Sequence, residues 1–171
     1  MLARFILTVS GSDRPGLTRM VAEVVHGQGG NWLESHLARL GGMYVGAVLV
    51  EIEADKAEAL AAAVRAIDAG GLAVSAVPAG DAPTGDGRRS LAIELVGQDR
   101  PGIVSEVTRV LADLNINIEE LDTRIGNGAE SGQLLFHARV AALVPADTAT
   151  EAVQAALETI SGDMMVDFSF G

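Results

Sequence analysis

Cysteine is absent from the 171 residues, lysine occurs once, at Lys56, and aromatic residues make up only 4%. Without cysteine there is no disulfide, no thiolate metal site and no cysteine nucleophile. A single lysine at a predicted helix start lacks the desolvated pocket that a Schiff base needs. So few aromatics give little on which to stack nucleobases. Positive charge is also scarce: 12 Lys and Arg stand against 23 Asp and Glu, for a net charge of −11. Phosphate backbones call for the reverse balance, so direct nucleic-acid binding is disfavoured. Long apolar runs are missing too. The longest, Met43–Val50, is far short of the ~20 residues of a membrane-spanning helix. The N-terminal run Phe5–Val9 is shorter than the apolar region of a signal peptide. The expected location is the cytoplasm, with no membrane contact.

What is abundant is apolar and repeated. Hydrophobic residues make up 49%, enough for a core and too many for a disordered chain. Gly11-Ser12-Asp13-Arg14-Pro15-Gly16-Leu17 returns as Gly97-Gln98-Asp99-Arg100-Pro101-Gly102-Ile103, an offset of 86 positions. The same offset carries Val21 onto Val107, Val24 onto Val110, Asn31 onto Asn117 and Glu34 onto Glu120. An internal repeat of this kind implies two copies of one unit. The stretch 80–88, rich in Gly, Pro and Asp, reads as a linker between residues 1–79 and 89–171.

Each half shows the same order of elements. Arg4–Ser10 carries β-branched residues and predicts a strand. Pro15 is placed at the first helical position, where its missing N–H costs nothing. Leu17, Val21, Val24 and Val25 then recur at helical spacing, and Gly27, Gly29 and Gly30 end that helix. Asn31–Leu40 and Met43–Glu53 read as strands joined by a Gly41-Gly42 turn. Asp55 is expected to cap an alanine-rich helix through Ile67, stopped by Gly70-Gly71. Leu72–Val77 is the last strand. The second half predicts Ser90–Val96, helix Pro101–Leu114, Ile116–Ile125, Leu134–Leu143, helix Asp147–Ile160 and Met164–Phe170. Its hairpin loop, Gly126–Gly132, is longer. The fold class is α+β, a ferredoxin-like β-α-β-β-α-β plan twice over. Strand Met43–Ile52 is apolar on both alternations, as a strand buried on both faces would be. Two helices cover one face only, so another unit, of this chain or a second copy, is expected on the other.

Strand, Gly-x-Asp-Arg-Pro-Gly, helix is a device for holding a small polar ligand. A helix start offers free N–H groups and a partial positive charge. Gly16 and Gly102 let a ligand approach that backbone. Asp13 and Asp99 suit a cap or a ligand ammonium, and Arg14 and Arg100 suit a carboxylate. Asn31 and Asn117 are expected to add an amide beside the loop. The set fits a zwitterion, although Asp-Arg-Pro-Gly is equally a turn and helix start with no ligand.

These paired loops, each followed by an apolar helix and then Gly30-Asn31-Trp32 or Ile116-Asn117-Ile118, resemble ACT domains, small regulatory modules that bind amino acids. Two such modules in one chain, with Asn31–Gly41 as its first hairpin, resemble the glycine cleavage system transcriptional repressor family; Trp32 departs from the Ile usual there. The resemblance implies ligand contacts at Asp13, Arg14, Gly16 and Asn31, and at Asp99, Arg100, Gly102 and Asn117, at interfaces between modules. It implies a non-catalytic sensor of a glycine-like or serine-like amino acid, without cofactor. Such a sensor is expected to form a homodimer and to act on a protein partner such as a transcriptional activator. A module that keeps the fold without a ligand is the alternative.

Catalytic constellations are thin by comparison. His26, His36 and His137 lack metal-ligand spacing. No serine has a Gly-x-Ser-x-Gly setting. Acylphosphate hydrolysis would use an anion-binding loop and an Asn, but the loop aspartate would repel the phosphate.

Overall fold

A computed structural model describes residues 1–67, 71–80, 87–127, 134–160 and 165–169. Its eight strands and four helices fall into two units, Met1–Ala82 and Pro83–Gly171. In the N-terminal unit, β1 (Leu2–Ser12), α1 (Leu17–Gly27), β2 (Asn31–Leu40), β3 (Met43–Glu53), α2 (Ala57–Ala66) and β4 (Leu72–Pro78) follow in order. In the C-terminal unit they are β5 (Arg89–Gln98), α3 (Ile103–Asp113), β6 (Asn117–Asn127), β7 (Leu134–Val144), α4 (Thr150–Glu158) and β8 (Met165–Ser169). The sheets run β2-β3-β1-β4 and β6-β7-β5-β8, with neighbouring strands antiparallel. This is the expected α+β plan, twice.

The apolar periods explain the packing. In β1, Leu7 and Val9 are buried while Thr8 and Ser10, which alternate with them, are exposed. Val48, Val50 and Ile52 of β3 join them beneath Leu17, Val21 and Val25 of α1 and Leu60 and Val64 of α2. Leu91, Ile93 and Leu95 of β5 form the matching core with Ile103, Val107 and Leu111 of α3 and Val153 and Leu157 of α4. The other alternation of β3, with Val45, Ala47 and Leu49, is only partly covered. Gly41 and Gly42 have φ of 59° and 82°, the pair of left-handed residues that a tight hairpin turn requires.

Two helix starts differ from expectation. Pro15 and Pro101 lie outside their helices, which begin at Leu17 and Ile103. The residues between, Gly16 and Gly102, have φ of 94° and 89° and break the helical path. Asp55 caps nothing: it lies in a 3-10 turn, Ala54–Lys56, ahead of α2, whose start has no side-chain cap bond. Gly70, positions 81–86 of the linker stretch, most of the Gly126–Gly132 loop, and Met164 and Phe170 lie outside the described residues.

Candidate functional site

Both loops are docked by their backbones. The Asp13 N–H donates to the Gly42 carbonyl at 3.1 Å, and the Asp99 N–H to the Leu134 carbonyl at 3.0 Å. Each loop therefore sits against the turn end of its own hairpin. The first helical bonds follow, from Met20 N–H to Gly16 and from Glu106 N–H to Gly102, both 3.0 Å. Other N–H groups of each first turn have no helical acceptor and carry the positive end of the dipole. The requirement for Gly16 and Gly102 comes from their left-handed backbone. A Cβ would meet nothing within 4 Å at either position, so space alone would admit one.

The expected ligand groups have separate arrangements. Asp13 does not cap its helix; its Oδ2 lies 3.1 Å from Arg39 Nε on β2. Asp99 makes no cap bond either. The Arg100 fork is already occupied. Nη1 donates to Glu106 Oε1 at 3.0 Å, Nη2 to Glu106 Oε2, and Nη2 again to the Ile160 carbonyl at 3.2 Å. Hydrogen bonding to Arg100 lowers the Glu106 pKa, and the same bond raises that of Arg100. The pair ties the first turn of α3 to the end of α4. Arg14 is engaged within the described structure.

The two asparagines do not lie beside their loops. Ser12, at the loop end of β1, pairs with Met43, whereas Asn31 pairs with Glu51 at the other end of β3. Eight residues of strand separate those positions, roughly 26 Å. Asn117 pairs with Leu143 and is equally remote from Asp99, since Gln98 pairs with Leu135. The helix between loop and Asn returns the chain along the full length of the sheet. Asn117 Nδ2 donates to Glu119 Oε1 at 2.6 Å. Within one unit, then, Asp, Arg and Gly converge and Asn does not.

A cleft of about 450 Å³ opens beside the second loop. Asp99, Arg100, Gly102, Ile103 and Val104 bound one side. Residues 123–125 of β6 and Phe136 of β7 bound the other. Sequence reasoning missed Val104, Thr123, Ile125 and Phe136. Aligning the halves past their hairpins would have exposed them, because Ile125 matches Arg39 and Phe136 matches Tyr44. Among the described residues, no three His, Asp or Glu converge on a point that could hold a metal, and no helix is long and apolar enough to cross a membrane.

With this geometry in view, the comparisons are specific. The ACT domain family pattern matches residues 3–70 and again residues 92–158. No curated protein matches the chain. Among solved structures, a protein of unknown function from Galdieria sulphuraria is 26% identical with a TM-score of 0.86. The match covers 100% of this chain and 99% of that one. A protein proposed to be a glycine cleavage system transcriptional repressor is 18% identical with a TM-score of 0.74, over 100% and 99% of the two chains.

Proposed function

Because the chain belongs to the ACT-domain family, whose members are regulatory amino-acid-binding modules, we propose that it is a non-catalytic regulator. It binds a small amino acid at its loops and changes the surface presented to a protein partner. The observation that carries this reading is the duplicated loop. Each copy joins an aspartate, a left-handed glycine and a helix start on a backbone docked to its own hairpin. The aspartate suits an ammonium and the helix start a carboxylate. Asn31 and Asn117 stand at the far end of the sheet from the loop of their own unit, and a homodimer is the assembly this reading expects. The protein acts in the cytoplasm through a partner, since a net charge of −11 opposes direct contact with DNA. The glycine cleavage repressor neighbour makes regulation of amino-acid metabolism the reading of its role.

A thermal-shift screen of the full chain against the common amino acids tests this. A ligand at 100 times its Kd adds about 2.7 kcal/mol to folded stability, which a melting curve resolves. At least one amino acid should raise Tm, and the double variant Asp13→Ala, Asp99→Ala should not respond. A flat panel would favour a ligand-free interaction module. That second reading draws on the internal satisfaction of Asp13 by Arg39 and of Arg100 by Glu106.

A further inference from the structure

The same place beside the two loops is built with different chemistry. In the N-terminal unit, Thr18 Oγ1 and Tyr44 OH share a hydrogen bond of 2.6 Å, and Arg39 holds Asp13. The matching residues of the C-terminal unit are Val104, Phe136, Ile125 and Asp99. Val104 and Phe136 carry no hydroxyl to bond across the gap, and Ile125 stands where the N-terminal unit has the arginine that holds its aspartate. The place is instead the 450 Å³ cleft. Ile103 and Phe136, each 4% exposed, line it from the core side. Val104 and Ile125 line it at 40% and 59% exposure. The Asp99 carboxylate has no hydrogen-bond or ion-pair partner among the described residues.

We propose that this cleft selects an α-amino acid with an aliphatic side chain of leucine's kind, while the N-terminal loop does not. The proposal rests on the amino-acid-binding reading above. Asp99 accepts from the ligand ammonium, and the opening turn of α3, along the edge of the cleft, faces its carboxylate. The side chain packs over Phe136 and removes Val104 and Ile125 from water. Glycine has nothing to place there. A polar side chain laid on Val104, Ile125 and Phe136 would lose water there without gaining a hydrogen bond from those three residues; Thr123 and Arg124 complete the lining. In the N-terminal unit the equivalent wall carries Thr18, Tyr44 and Arg39, and the arginine already neutralises the aspartate.

Isothermal titration of the full chain with L-leucine, and separately with glycine, tests the proposal. Leucine should bind roughly ten-fold tighter than glycine or better. Ile125→Arg, which restores the residue of the N-terminal unit, should weaken leucine binding by a similar factor. Val104→Thr should weaken it less, and Ile125→Val should leave it nearly unchanged. Positions 104 and 125 are exposed enough that these variants should melt close to the wild type, and Val104→Thr serves should Ile125→Arg fail to fold. Leucine binding that ignores both Ile125→Arg and Val104→Thr overturns the proposal. So does glycine binding without a leucine preference, which leaves the amino-acid-binding reading standing. Binding of no amino acid in either assay overturns both.

Discussion

The faces of the two sheets that point away from their own helices carry contrasting chemistry. In the N-terminal unit, Val45, Ala47 and Leu49 of β3 lie beside Ile6 and Thr8 of β1. In the C-terminal unit the same places hold His137, Arg139 and Ala141 of β7 and Ala92 and Glu94 of β5, with Arg139 Nε 3.0 Å from Glu94 Oε1. Asp122 replaces His36 across the next strand pair. The covered alternations, by contrast, are apolar in both units. Close packing beneath helices holds that side to one solution. The opposite side and the surroundings of the loops can diverge at little cost to folding, and there the halves differ in chemistry. The apolar face of the N-terminal sheet is the side suited to association.

The comparison breaks most severely at Gly46. Its φ is 154°, and an added Cβ would lie 2.0 Å from the His36 carbonyl oxygen. The equivalent residue of β7 is Ala138, which fits its own strand without a positive φ. Gly46→Ala should destabilise the N-terminal unit by about 3 kcal/mol or more, whereas Ala138→Gly should cost roughly 1 kcal/mol or less. Trp32, the single tryptophan, reports denaturant unfolding of the N-terminal unit alone, and circular dichroism reports both. Next in size is the helix core. Leu111→Ala, at a site with no exposure, should cost about 2–5 kcal/mol. Val25→Ala, at the matching position, should cost less because it removes less apolar volume.

Gly16→Ala and Gly102→Ala sharpen the likeness of the halves. Both residues are left-handed and neither Cβ would clash, so each variant should lose a similar ~1–2 kcal/mol of backbone energy. The smallest effect concerns Glu106, which pairs with Arg100 and stands where the other half has Met20. Its folded pKa is lowered. Its contribution is therefore present above the ordinary glutamate pKa and lost as pH falls through the lower folded value. Glu106→Gln should flatten that acid limb of the stability profile, and salt should mask most of the difference, as for other surface pairs.

Much of the fold was legible because the repeat, the alternation Leu7-Thr8-Val9-Ser10 and the Gly41-Gly42 turn each act over a few residues. The strands Asn31–Leu40 and Met43–Glu53 were delimited by such signals alone. The site was less legible. Placing Asn31 beside Asp13 required the register of β2 on β3, which no local signal contains. Arg100 looked like a ligand clamp because Glu106, six positions away, becomes its neighbour only once α3 turns. Pro15 fits a helix start by type, but the left-handed φ of Gly16 moves that start past it. The cleft depended on matching Tyr44 with Phe136 across hairpins of unequal length.

The central claim is that amino acids bind at these loops and that the two loops differ. Titrating the isotope-labelled full chain with L-leucine and following backbone amide resonances tests it directly. The account predicts shifts at Asp99–Val104 and Thr123–Ile125, with Asp13–Thr18 much less affected. Amide resonances unmoved at both loops by leucine and by every other common amino acid would contradict it.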